Sequence, residues 1–490
     1  MNKKPQKIMI VGQHAEAWVT AALYAKSLAG VEITILGKQN SDPATYNLAP
    51  ENMRLLQHLD ITEQNFLKQT AGCFNLGSLF LDWCKSKHNY FQPFGGHGVA
   101  MDYVGFQHYA IKQHLSGTTI RYEDYSLTAQ AARQNKFARP KMDSQSILAT
   151  MMYAHTVNGL ELVNSLRAYV EALGVTIIDA DISEVLIGEE SGIEALVDDT
   201  GKRHVADLYL DCSAENRTLI SALPGYDNES FAHYFKVDSK VQWRTAKAAT
   251  TANHAIITAK ENGWLRELSD QRQTMKEYYF NSKAETTEDA LAICQAHGLN
   301  SDNHTVTESS CSSVEAPWLA NCVALGSAAA YFEPLDVSSL NSLITDAFRL
   351  LELFPRSASW TAQQYEYNRK TRAWYDNLCN MNIHRYRALA KSANLTLASE
   401  DNLPETVQRK IELFLDNGQI AYIENEPFTS SYQIAMFLGL DIWPTAYDPL
   451  LDNFDIKTLE ARFKQMQMDI DKVLAFMPKH DDFLTRDLAS

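Results

Sequence analysis

Gly12-Gln13-His14-Ala15-Glu16-Ala17 is the stretch whose residue types and spacing come nearest to a definite chemistry. A short β-branched run ends at Gly12, and an apolar-periodic stretch starts just after it. The turn between them therefore sets backbone N–H groups and a helix N-terminus toward whatever lies in front, which makes an anion seat. A dinucleotide pyrophosphate takes such a seat when three spaced positions are small. The first makes the turn, the second lets backbone approach the phosphates, and the third allows close helix–strand packing. Gly12 and Ala17 satisfy the first and third. The second is His14, with Gln13 beside it, and the His14 ring falls where the phosphates would need room. A carboxylate for the ribose is expected about 20 residues further on. Ile35-Leu36-Gly37-Lys38 stands there and has none. Packing is retained in this pattern while the ligand contacts are degraded. Pairing of His14 with a phosphate from a displaced position stays open as a second use.

Other chemistries find no pattern. G-x-S-x-G does not occur, so no nucleophile elbow is expected. The 14 histidines form no H-E-x-x-H, and His97, His108 and His114 read as solvated or hydrogen-bonded rather than as ligands. The seven cysteines are an odd number without a C-x-x-C pair, as expected of reduced thiols, and no metal is expected. With 44 basic and 60 acidic side chains the formal charge is −16, which argues against nucleic acid as a partner. No apolar run is long enough to span a membrane, and the run after the basic N-terminus, Ile8 to Val11, is too short for a signal-peptide core. The expected location is cytoplasmic. Glycine is scarce: 21 occur in 490 residues, where a usual share of about 7% would give roughly 34.

The elements that must position the turn follow from hydrophobic period. Residues 7–11 and 31–36 read as buried strands flanking a helix over 15–28, a βαβ unit that implies a parallel sheet. Further on, 159–173 reads as a helix, and 175–178, 193–197, 206–210 and 322–325 read as strands. The pattern is helical over 339–353, 361–393, 405–417 and 456–476. The aromatic group Tyr365, Tyr367, Trp374 and Tyr375 lies at helical spacings and reads as core.

Laid in order, these segments resemble the flavin-dependent tryptophan halogenases across nearly the whole chain. The resemblance rests on Phe74-Asn75-Leu76-Gly77 with Trp83, on Ala206-Asp207 through Asp211-Cys212-Ser213-Ala214, and on Leu325-Gly326-Ser327 through Phe332-Glu333-Pro334-Leu335-Asp336-Val337-Ser338-Ser339. Gly439 with Pro444 through Leu450 resembles a C-terminal segment. It implies an α/β fold with a Rossmann-like FAD-binding core of the flavin monooxygenase (PHBH-like) type, a substrate-domain sheet and a helical C-terminal region. On that pattern, 1–355 forms the core, with nucleotide-binding segments about 5–60, 150–215 and 320–355. Segments about 61–149 and 216–319 form the substrate domain, and 356–490 the helical region.

The same resemblance implies FAD as cofactor, an aromatic substrate and a flavin reductase as partner. It also implies a lysine and a glutamate that carry the halogenation. Those positions hold Asn75 and Asp336. An amide carries no positive charge and cannot form a comparable haloamine. Asp336 is one methylene short, which draws the carboxylate back by an amount that matters for placement. Asn75 also reads as a turn residue, and Asp336 as a first-turn acid favoured by a helix dipole. The halide-binding Thr-Gly falls on Ser338-Ser339, and Gly326 lies on the cofactor side. The W-x-W-x-I-P segment keeps only Trp264, and no G-x-G-E is found where Thr45-Tyr46-Asn47-Leu48-Ala49-Pro50 stands. The substrate-stacking H-x-F appears as Gln92-Pro93-Phe94, and Tyr432 falls on the substrate side. The expectation is a halogenase-like scaffold without standard halogenase activity, kept for binding an aromatic small molecule or for partnering a second copy or a paralogous halogenase. The alternative is an FAD-dependent halogenase or monooxygenase with a rebuilt site.

Overall fold

The computed structural model describes residues 5–489 apart from 39–41, 43, 142–145, 190–191, 301–302, 336–337, 357–358 and 390–402. The chain divides into two compact units, each assembled from three stretches. The first comprises Met1–Gly72, Val157–Ala232 and Ser309–Asp376, and the second Cys73–Thr156, His233–Glu308 and Asn377–Ser490.

In the first unit, β1 (Lys7–Val11) and β2 (Glu32–Leu36) each bury every residue after the first, as strands covered on both faces must. Helix α1 (Ala15–Ser27) joins them and buries all of Ala15 to Tyr24, which explains its near-uniform apolar sequence. It packs against α2 (Gly159–Ala172) and α3 (Ser339–Glu352). The sheet is completed by β3 (Thr176–Ile178), β4 (Leu208–Asp211), β5 (Trp318–Leu319) and β6 (Cys322–Ala324) in the order β5-β6-β4-β1-β2-β3. All pairings are parallel except β5 with β6. The strand expected over 206–210 begins two residues later. The Ala206 N–H is taken by the Tyr209 hydroxyl at 3.0 Å, while Asp211 stays in register with Val11 and Ala324.

The second unit is built on a seven-stranded sheet. Its order is His304–Glu308, Ser239–Ala246, Gln273–Phe280, Gly263–Ser269, Ala255–Lys260, Gly77–Leu81 and Asn89–Pro93. One face packs Val241, Trp243, Leu265, Tyr278 and Phe280 against Ala290 and Cys294 of helix Thr287–Ala296. Helices Glu405–Asn417, Ser430–Gly439, Ile456–Phe476 and His480–Ala489 belong to the same unit. Helix Thr361–Leu389 supplies residues to both units, and the last residues expected of it, 390–393, lie outside the described residues. Among the described residues no helix is long and apolar enough to cross a membrane.

Candidate functional site

At the carboxyl ends of β1, β2 and β4 a cavity of about 490 Å³ is lined by Gly12, Gln13, His14, Gly37, Asp181 and Asn216. This is the edge of a parallel sheet at which ligands bind in open α/β folds. Gly12 is required by contact: a Cβ there would lie 2.3 Å from the Cys212 carbonyl oxygen and 3.1 Å from the Ala17 Cβ. Ala17 is thus small for the packing reason its motif position demands. Gly37 is held to glycine in the same way, since a Cβ would meet the Gly12 carbonyl oxygen at 2.4 Å. An acid does line the cavity beside the end of β2: Asp181, just after β3. It accepts from Lys38 Nζ at 2.7 Å and from Gln13 Nε2 at 3.4 Å. His14 is the N-cap of α1 in extended backbone, its side chain makes no capping bond, and it is half-buried on the cavity wall.

The N-terminus of α1 is served from elsewhere. The Ala15 N–H donates to Asp42 Oδ2 at 2.9 Å, and that carboxylate also accepts from the Tyr46 hydroxyl and the Ala44 N–H, each at 2.9 Å. A second acid, Glu16, is buried in the first turn of α1. It accepts from the Ser327 N–H at 3.1 Å, from Ser327 Oγ at 2.7 Å, and from the side chain of Ser339. Burial pushes its carboxyl up to about 7 against these hydrogen bonds. Gly326, at φ +59, turns its own N–H to Asp346 Oδ2 at 3.2 Å. Asp346 is raised to about 6, again by burial, with Arg349 and the Tyr375 hydroxyl holding it down. Ser338 is the N-cap of α3, but its hydroxyl donates to the Asn47 carbonyl at 2.9 Å. Asn341 ties the same loop down, donating to Asn47 O and accepting from the Ala49 N–H. Asp336 lies outside the described residues.

In the second unit, Asn75 ends the short strand Cys73–Asn75 and is fully buried. Its Nδ2 donates to Thr156 Oγ1 at 2.9 Å, and its Oδ1 accepts the Gly77 N–H at 2.8 Å. Gly77 pairs with Pro93, and a Cβ on it would lie 2.1 Å from the Gln92 carbonyl oxygen. Asn75, Gln92 and Phe94 are thereby held on adjoining backbone, and Gln92 Nε2 reaches the Tyr432 carbonyl at 3.2 Å. Gln92 Oε1 is buried without a hydrogen-bond partner among the described residues. The Tyr432 ring stacks on Phe428 at 4.6 Å. Trp264 is buried against Tyr279 and donates to the Tyr386 hydroxyl at 3.0 Å. Beside the outer edge of strand Asn89–Pro93 lies a cavity of about 370 Å³ lined by Tyr90, Phe91, His97, Tyr122 and Trp443 among others. Among the described residues no three His, Cys, Asp or Glu side chains are grouped to hold a metal ion.

Sequence reading missed Glu16, Asp42, Asp181 and Asp346. Glu16 carried a signal, being an acid in the buried stretch Ala15–Tyr24, whose other residues are apolar but for Thr20. The other three carried none, since the Ala15, Lys38 and Gly326 donors that Asp42, Asp181 and Asp346 meet lie 27, 143 and 20 residues away.

Known proteins agree with this architecture. A flavin-dependent halogenase from Brevundimonas sp. BAL3 superposes with a TM-score of 0.92 at 26% identity over 99% of both chains. One from Xanthomonas campestris gives 0.91 at 26% identity, covering 99% of this chain and 98% of that one. The tryptophan 7-halogenase of Lentzea aerocolonigenes is 21% identical, with 92% of each chain covered. Residues 7–456 match the tryptophan halogenase family as a whole. With fold, segment order and sequence in agreement over that span, the chain belongs to the tryptophan halogenase family.

Proposed function

We propose that this protein keeps the halogenase scaffold as a binding protein for an aromatic small molecule and does not carry out lysine-dependent halogenation. One observation carries the reading: Asn75 spends both ends of its amide on the protein itself. Its Oδ1 closes a turn onto the Gly77 N–H, and its Nδ2 is committed to Thr156. A side chain so engaged offers no amine to an oxidant. Two separate features support retained binding: the partnerless Gln92 Oε1, and a cavity of about 370 Å³ that Gln92 does not line but whose volume suits a single-ring or fused-ring ligand. A buried acceptor without a partner is costly unless something donates to it.

The test is a turnover assay with FAD, a flavin reductase, halide and a panel of indoles, run beside equilibrium dialysis of the same indoles. The expected result is saturable binding without halogenated product. Product formed by the wild-type chain overturns the reading.

The second reading is an FAD-dependent oxygenase or halogenase with a rebuilt site, and the open cavity of about 490 Å³ at the sheet edge favours it. A flavin reductase would then be the partner. Under the first reading the partners are a second copy of the chain or a paralogous halogenase, and the compartment is the cytoplasm.

A further inference from the structure

The fold implies a flavin dinucleotide, and the residues on the nucleotide side can be tested against its anionic groups. A pyrophosphate needs unspent backbone N–H groups, and two places in the first unit supply the geometry. One is the N-terminus of α1, and the other is the turn at Gly326-Ser327, whose positive φ aims successive N–H groups to the same side as an anion-binding nest does.

In this chain the Ala15 N–H at the first place and the Gly326 and Ser327 N–H groups at the second are already taken by carboxyl groups of the protein. At α1 the taker is Asp42, which is 2% exposed and held by the Ala15 and Ala44 N–H groups and the Tyr46 hydroxyl. Gly159, the first residue of α2, packs so close that a Cβ would lie 2.8 Å from Asp42 Oδ1, so the carboxylate is walled in. At the turn the Ser327 N–H goes to Glu16 and the Gly326 N–H to Asp346. Glu16 also takes the Ser339 hydroxyl in the first turn of α3, the position the halide-binding glycine would occupy. Lys38, next in the chain to the cavity-lining Gly37, is paired with Asp181 and Asp199 at 2.7 and 2.8 Å. A pyrophosphate placed here would meet N–H groups already bonded to carboxyls, and Asp181 is the one acid among the residues lining the cavity.

The residues do not fit the cofactor. We infer that Asp42 and Glu16 are internal replacements for its anionic groups: they satisfy the donors a bound flavin would satisfy, let the unit fold without it, and exclude it. This inference rests on the first unit and leaves the reading of Asn75 independent. FAD bound without halogenated product would sink the inference alone.

Titration with FAD, oxidised and reduced, followed by flavin fluorescence and by equilibrium dialysis at pH 8, decides it. The wild-type chain is expected to show no saturable binding. Asp42→Asn, Glu16→Ala and the double variant are expected to gain affinity, by at least about tenfold in the double variant. FAD should raise the melting temperature of the variants and leave that of the wild type unmoved. Saturable micromolar binding by the wild type overturns the inference, and so do folded variants with no gain. If the variants fail to fold in buffer, refolding them with FAD present provides the second readout. Recovery of folded protein supports the replacement, and no recovery counts against it.

Discussion

The two polar sites of this protein treat their donors and acceptors in opposite ways. On the nucleotide side, the Ala15, Gly326 and Ser327 N–H groups end on carboxyls of the same unit, and acids account for every one of those bonds. On the substrate side, Asn75 is closed by neutral partners while Gln92 next to it keeps a buried oxygen without a donor. A site closed on itself no longer needs its ligand to fold, whereas a site with an unmet acceptor is still more stable when something donates to it. On the readings proposed above, the difference separates a cofactor side turned into structure from a substrate side that has kept a reason to bind.

Four changes would break or sharpen that contrast. The largest effect is expected of Gly12→Ala, whose Cβ would lie 2.3 Å from backbone at Cys212. It should cost about 4 kcal/mol or abolish soluble protein, with or without flavin. A small loss in urea unfolding would mean that the turn is looser than this packing requires.

Next is the pH dependence of the closed site. Burial holds Glu16 at about 7, against an ordinary value of 4.5. Between those values the native chain keeps a proton that the unfolded chain has lost. The associated stability is therefore full below about pH 4.5 and is lost as pH rises through 7. Glu16→Gln removes that slope, so the stability difference between wild type and variant should change by about 3 kcal/mol between pH 4.5 and pH 8. Parallel pH profiles for the two proteins would show that Glu16 is ionised throughout.

Asn75→Ala should cost about 2 kcal/mol by leaving the Gly77 N–H and Thr156 hydroxyl unpaired in the core. A neutral result would take away the structural role that carries the functional reading. The smallest effect belongs to Gln92→Leu, which exchanges a half-satisfied amide for an apolar group of similar size. Stability should move by less than about 1 kcal/mol, while dialysis should show indole binding weakened. Unchanged binding would separate Gln92 from the ligand.

Much of the first unit was legible in advance because its signals are local. Alternation and run length report whether a segment is buried on one side or both, and the β1-α1-β2 order appears where the period placed it. The seven-stranded sheet was much less legible. Its strands come from two separate stretches, 77–93 and 239–308, and alternation alone does not say which strand pairs with which. Helix 405–417 was read to the residue, because Gly418 at φ +74 ends it with a left-handed cap that glycine adopts without strain.

The chain by itself determined the family, the tight approach at Gly12 and Ala17, and the loss of an amine at position 75. Tertiary structure alone decided which donors the buried carboxyls meet. Asp42 reaches Ala15 across 27 residues and Glu16 reaches Ser327 across 311. Hydrophobic period records how deep a residue is buried. It carries no record of which distant donor a buried carboxyl meets.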